Sequence, residues 1–215
     1  MKFSEWLAHR LTQPLPGQPS QVKMMPFGGQ KRFPIPETSR KSSVLLLLFP
    51  EAGQCALIAI KRSLDGGVHS GQIAFPGGKI EPSDTSPEAA ALREANEEIN
   101  LSAQDVQILG RLSSLYIPAS GFEVFPIVAF SPVYPPGLRP SEAEVAEILT
   151  LSLPAIISQK TSAHVRPSSR PDLLVEAPGY LLGEHYFLWG ASAMILSELE
   201  ALWQEFSEVQ RGFDG

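Results

Sequence analysis

The stretch from Gly71 to Leu101, GQIAFPGGKIEPSDTSPEAAALREANEEINL, limits what this chain can become more than any other part of it. Its second half carries the local signals of a helix. Ser86 suits the N-cap, Pro87 the first turn and Glu88 the positive end of the helix dipole. Asn100 stands where a left-handed closing residue is wanted. Leu92, Ala95 and Ile99 form an apolar stripe, while Glu94, Glu97 and Glu98 stack about a third of a turn away from it. Carboxylates so placed repel one another by a few tenths of a kcal/mol per pair, and Arg93 offers an i,i+4 partner only to Glu97. A solvated acidic face explains this pattern. So does a hard divalent cation such as Mg²⁺, which takes oxygen ligands and is commonly completed by substrate phosphates. His9, His69, His164 and His185 are scattered and give zinc no compact site.

At 215 residues, 43% of them hydrophobic, the chain is long enough for one domain with a real core. A formal charge of −6 argues against a general nucleic-acid or membrane-surface role. The single cysteine, Cys55, excludes an internal disulfide and reads as a small buried residue of a strand. No apolar run approaches the roughly 18 residues of a membrane span, and Met1 to Leu15 lacks the core of a signal peptide. The expectation is a soluble, cytoplasmic protein.

Taken in order, residues 3–13 read as a short amphipathic helix on Phe3, Leu7 and Leu11, with Trp6 beside them. Six prolines and three glycines between Pro14 and Lys41 predict an extended connector, so the chain divides into an N-terminal helix and Pro/Gly-rich extension, 1–41, and a main domain, 42–210. Residues 43–49 and 54–61 predict adjacent buried strands, 72–75 a short strand stopped by Pro76, Gly77 and Gly78, and 106–117 and 123–130 two more. Residues 132–140 read as a loop, 142–151 as a loop or helical turn ending in a strand, 154–158 as a short helix and 162–171 as a polar loop. Residues 185–189 read as a strand and 191–206 as a closing helix. The fold class expected is α+β, a mixed sheet sandwiched between helices.

Residues around the acidic helix resemble the Nudix hydrolase signature: Gly78, Arg93, Glu94, Glu97, Glu98 and Leu101 match it. Asp84 replaces its first glutamate, one residue is inserted before Arg93, Ala95 takes an aliphatic place and Asn100 that of a glycine. Upstream, Arg62, Ser63, His69 and the run from Gly71 to Gly78 resemble the extra motif of the coenzyme A pyrophosphatase branch, with Gly66 and Gly67 standing where leucine and arginine are usual. Weaker similarities include Ser120, Gly121, Phe122 and Pro126, the stretch Glu144, Val145, Glu147, and Trp189, Gly190 and Ala193.

The resemblance implies a Nudix-like α/β/α sandwich that hydrolyses coenzyme A or its acyl derivatives to 3′,5′-ADP and (acyl-)4′-phosphopantetheine. Mg²⁺ or Mn²⁺ would be held by Glu94, Glu97, Glu98 and the carbonyl of Gly78. Arg93 would orient Glu97. The general base would be a helix glutamate or one of Glu142, Glu144 and Glu147, with Glu144 preferred among the distant ones. His69, Arg62, Gln72 and Lys79 are the substrate-side candidates, and Lys61, Arg40 and Lys41 join Arg62 and Lys79 as candidates for a 3′-phosphate. Partners expected are a small nucleoside diphosphate substrate and a second copy in a homodimer, with neither nucleic acid nor membrane. Alternatives are a Nudix hydrolase for NADH or ADP-ribose, and a non-catalytic nucleotide-binding module. Intact Glu94, Glu97 and Glu98 speak against the last.

Overall fold

The computed structural model describes residues 2–26, 34–64, 71–167 and 172–213, the side chain of Phe213 excepted. Its framework begins with a hairpin, β1 (Arg40–Glu51) and β2 (Gln54–Arg62), paired from Leu48 opposite Leu57 to Glu51 opposite Gln54. The run of leucines in β1 is buried on both faces. Leu45, Leu47 and Phe49 enter one core cluster and Leu46 and Leu48 the other, as the period of two requires.

Beyond the hairpin the two strands part. The parallel strand β7 (Phe122–Phe130) covers one edge of β1 from Arg40 to Leu48. On the free edge of β1 left below Leu48 lies β4 (Gly77–Lys79), paired at Ser42 to Val44. In the same way β8 (Val145–Ser152) covers one edge of β2, and β3 (Ile73–Ala74) pairs with Ile60 and Lys61 on the other. The segment 73–79 thus fills the fork between β1 and β2. β5 (Gln107–Arg111) and β6 (Leu115–Ile117) complete the mixed sheet on the far edge of β7.

Helix α3 (Pro87–Ile99) lies on one face of this sheet, with Ala91, Ala95 and Ile99 fully buried against Leu45, Leu47, Phe49, Ile58 and Ile60. Its caps are those the sequence predicts: Ser86 accepts from the Ala89 amide at 3.2 Å, and Asn100 adopts φ 56°, ψ 33°. On the other face lies α5 (Gly190–Phe213), longer than the 191–206 read from the sequence, with Leu199 and Leu202 in the core. Helices on both faces of a mixed sheet make the α+β sandwich expected.

Against α5 pack α1 (Phe3–Arg10), α2 (Gln18–Gln21), a 3₁₀ turn at Val22–Met24 and a separate antiparallel sheet, β9 (Lys160–Val165), β10 (Val175–Leu182) and β11 (Tyr186–Trp189), while α4 (Leu153–Ser158) packs on β2, β8 and β10. Several sequence readings are corrected here. The polar loop of 162–171 is in part β9, a strand whose residues are mostly exposed and whose hydrogen bonds to β10 replace an apolar face. β10 carries no strand signal in the sequence because Pro178 and Gly179 interrupt it; Gly179 is there because a Cβ would fall 2.7 Å from the Phe187 ring and 2.3 Å from the Leu188 carbonyl. β3 ends before Pro76 as read, but Gly77 and Gly78 go on to open a strand of their own. Residues 106–117 are two strands, broken at 112–114, and the helix at the N-terminus gives way to turns after Arg10.

The connector read over 14–41 likewise contains α2 and the 3₁₀ turn, and it is tied to α5 by a buried charge. Glu198, fully buried, accepts from the amides of Gly17 (3.0 Å) and Ser113 (3.2 Å), the Gln21 side chain (2.9 Å) and the Ser113 hydroxyl (2.7 Å). Four donors replace the water this carboxylate gave up. Among the described residues no helix is long and apolar enough to cross a membrane. Leu7→Ala empties a fully buried position between α1 and α5 and is expected to cost about 2–5 kcal/mol in urea unfolding. Glu198→Ala orphans the four donors and is expected to cost about 2 kcal/mol or more in the same measurement.

Candidate active site

The fork between β1 and β2 brings the glycine segment onto the acidic helix. Gly77 sits so close to β1 that a Cβ would fall 2.2 Å from the Ser43 carbonyl, and its φ of 154° is itself open chiefly to glycine. That close approach aims its N–H at α3, where it donates to Glu98 Oε2 at 2.8 Å. At Gly78 a Cβ would lie 2.5 Å from all three atoms of the Glu94 carboxyl group. The missing side chain is the space the carboxylate occupies.

Glu98 is 1% exposed, which the sequence did not indicate. Its other oxygen, Oε1, accepts from Nη1 of Arg62, the last residue of β2, at 3.0 Å. Burial pushes its carboxyl up to about 7; the Gly77 N–H and Arg62 oppose that rise, and the charges of Glu94 and Glu144 add to it. Glu94 is also raised, first by burial, then through repulsion by Glu97 and Glu144, against the pull of Arg93. Glu97 is the most open of the three, its side chain 54% exposed.

Arg93 does more than the i,i+4 pairing predicts. Besides Glu97 (3.0 Å) it pairs with Glu94 (3.0 Å), donates twice to Asp84 (both 3.0 Å) and once to the carbonyl of Lys79 (3.0 Å). The Arg93 hydrogen bond holds the Asp84 carboxyl below its ordinary value. Asp84, aligned in sequence only as a displaced first glutamate, is therefore the anchor that orients Arg93.

Glu144 reaches the same neighbourhood from a distant part of the chain. Its carbonyl accepts from the Ser63 amide at 2.9 Å and its amide donates to the Ser141 carbonyl at 3.0 Å, while the Ser141 amide donates to the Glu98 carbonyl at 2.8 Å. This turn ties the approach to β8 to the end of α3 and the end of β2. Glu147 is placed differently: it accepts from the Tyr186 hydroxyl, and Lys61, its register partner across β2 and β8, lies 5.0 Å from the Tyr186 ring.

The structure thus gathers Gly78, Glu94, Glu98, Arg62 and Arg93, with Glu97 at the rim and Glu144 within electrostatic range. Lys79 contributes its carbonyl to Arg93 while its side chain is exposed. The carbonyl of Gln72 accepts from the Arg62 amide at 3.0 Å, and Gln72 also lines a groove of about 310 Å³ between Gly71–Ile73 and the Tyr186–Trp189 strand. His69, Gly66 and Gly67 lie outside the described residues. Arg40 lies 4.2 Å from the Phe122 ring centroid and donates to the Ser120 carbonyl. Cys55 is half-buried, its thiol pushed up to about 12 by burial.

As the side chains stand, no three His, Cys, Asp or Glu groups among the described residues converge on a metal position, because Arg62 and Arg93 hold the carboxylates. The donors nonetheless fit a hard divalent cation. They are all oxygen, two of them are buried or half-buried with carboxyls raised first by burial and then by neighbouring carboxylates, and one rests in a cradle a Cβ would fill.

The sequence profile of the NUDIX domain matches residues 39–167. Over 165 residues the chain is 37% identical to the uncharacterized Nudix hydrolase NudL of Photorhabdus laumondii, across 76% of this chain and 84% of that protein. It is 34% identical over 169 residues to NudL of an Enterobacter strain, across 75% and 82%. Among solved structures, a C. elegans Ap4A hydrolase in a binary complex aligns with 80% of this chain and 98% of its own at a TM-score of 0.50 and 18% identity. The Nudix hydrolase RenU from M. smegmatis aligns with 85% and 95% at a TM-score of 0.50 and 17% identity. At those identities the two structures show a shared fold. With the profile spanning most of the chain and relatives above 30% identity, this protein belongs to the Nudix hydrolase family, enzymes that generally use divalent metal ions, and is a pyrophosphohydrolase of nucleoside diphosphate derivatives.

Proposed function

We propose that the substrate is coenzyme A or an acyl coenzyme A, cleaved at its diphosphate to 3′,5′-ADP and (acyl-)4′-phosphopantetheine in the cytoplasm. The observation that carries this reading is the meeting of the two ends of one sequence motif. Arg62 at its start and Gly77 near its end both bond the same carboxylate, Glu98, so both ends of the branch-like motif meet at the acid site.

Glu94, Glu97, Glu98 and the Gly78 carbonyl would hold Mg²⁺ or Mn²⁺, which when bound neutralises the diphosphate and lowers the pKa of an attacking water. The chain's own residues do the rest. Glu98, fixed by the Gly77 amide, and Glu94, seated against Gly78, present preset oxygens. Arg93, held by Asp84, is a positioning residue whose Nη1 bridges Glu94 and Glu97 and aims them. Glu144 acts as the base: it takes a proton from the water as the new P–O bond forms and the other phosphate leaves, its turn held by Ser63 and Ser141. Arg62, Gln72 and Lys79 would meet the substrate, and His69 is a candidate for the same task from the sequence motif alone. A second reading, another nucleoside diphosphate derivative such as NADH or ADP-ribose, is favoured by Gly66 and Gly67, which replace the leucine and arginine of the branch motif.

Incubation with Mg²⁺ or Mn²⁺ and a panel of coenzyme A, NADH and ADP-ribose, with products identified by mass, is expected to show phosphopantetheine and 3′,5′-ADP. Preferential cleavage of ADP-ribose or NADH overturns the coenzyme A assignment. In the same assay Glu98→Gln is expected to abolish turnover, and Glu144→Gln to lower kcat about 10²–10⁴-fold with little change in KM or unfolding midpoint. A Glu144→Gln protein of normal kcat removes that residue from the base role.

The raised carboxyl of Glu98 has a consequence for stability. The folded protein keeps the Glu98 proton up to about pH 7, whereas the unfolded chain loses it near its ordinary value of 4.5. The folded state therefore binds the extra proton between those values. The resulting stabilisation is complete below the lower value and drains away as pH rises through the upper one. In EDTA, thermal unfolding of wild type is expected to lose stability relative to Glu98→Gln over that window. Parallel pH profiles of the two proteins count against a buried Glu98.

A further inference from the structure

Both oxygens of the Glu98 carboxylate are engaged, and their two partners differ in freedom. Gly77 cannot withdraw its N–H, because β4 is paired with Ser43 and Val44 and packed against β1 too tightly for even a Cβ. Arg62 can withdraw. It ends β2 where the register with β8 shifts between Lys61 and Arg62, its side chain is 26% exposed, and among the described residues it meets the carboxylate through Nη1 to Oε1 at 3.0 Å. The other guanidinium of the site is not comparable, since Asp84, Glu94, Glu97 and the Lys79 carbonyl hold Arg93 from four directions.

We infer that Arg62 is a displaceable counter-ion: it and the divalent cation take the same Glu98 oxygen in turn, and the guanidinium so released turns to the substrate's diphosphate. The inference rests on the reading of Glu94 and Glu98 as the cation site. Its physical basis is charge balance. A carboxylate this buried is costly without a positive partner, and an exchange of one cation for another never leaves it bare. The planar fork that fits a carboxylate fits a phosphate equally well, so the same side chain serves both positions. Cation and diphosphate then bind cooperatively, the first pushing Arg62 off Glu98 and the second drawing it away.

The test is Mn²⁺ binding to the full chain at pH 8.5 by electron paramagnetic resonance, without nucleotide, and calorimetric binding of α,β-methylene-ADP at saturating Mn²⁺. Arg62→Ala is expected to bind Mn²⁺ about tenfold more tightly and the nucleotide about tenfold more weakly. Should Arg62→Ala fail to fold, Arg62→Gln, which keeps the length and loses the charge, carries the same pair of expectations. Opposite signs are the signature of exchange. Weakening of both ligands makes Arg62 a structural prop and overturns the inference. Tighter Mn²⁺ with unchanged nucleotide affinity makes it a bystander charge and also overturns it. Wild-type protein that binds no Mn²⁺ overturns the cation site itself, and the exchange with it.

Discussion

The hydrogen bond from the Gly77 amide to Glu98 joins the two halves of the site, and it exists only because β1 and β2 part. A continuous hairpin would pair its strands along their whole length and leave no edge for β3 and β4. The fork admits a backbone segment with no side chains at Gly77 and Gly78, and that segment sets an N–H and a cradle against α3. Carboxylates that would repel one another on an isolated helix are instead fixed by groups from the sheet. The strength of the arrangement lies in its rigidity, since a preorganised charged group reorganises little when substrate binds.

Around this junction the positive charges are divided by mobility. Arg93 is locked by its partners and stiffens the rim, while Arg62 makes one contact to the carboxylate at a strand end. Two arginines on different acids of one site thus have different tasks, and what separates them is the number of bonds each would have to break. The division also explains why Asp84 can stand in for a glutamate one residue out of register. Its shorter carboxylate lies on the loop before the helix, where it needs only to meet the Arg93 fork edge-on.

Much of this was legible in the residues. Ser86 and Asn100 marked both ends of α3, and the alternation and apolar run of 44–49 gave a strand buried on both faces. The spacing of Glu94, Glu97 and Glu98 pointed to one chemical face. What stayed hidden depends on contacts far apart in sequence. Glu98 reads as one more exposed acid until Gly77 and Arg62 come to meet it, and Asp84 reads as a substitution until it is seen under Arg93. Of the second sheet only β11 is legible, and β9 and β10 are hidden for a different reason. Pro178 and Gly179 are strand breakers by propensity, and β9 is too polar to alternate; pairing with neighbours overrides both signals.

The buried Glu198 cluster bears on how the chain reaches its fold during synthesis. Its ligands come from Gly17, Gln21 and Ser113, and nearby Arg10 pairs with Glu205 at 2.7 Å, a separation of 195 residues. Contacts of such span are the slowest to form. Residues of α1, α2 and the 3₁₀ turn are made early, and the α5 side chains that complete the cover of Phe3, Leu7 and Met24 come almost two hundred residues later. The sheet, α3 and the acid site, complete by Ser152, can assemble in that interval. One face of the protein is therefore built early, around its chemistry, and the other is sealed last by a carboxylate that catalyses nothing.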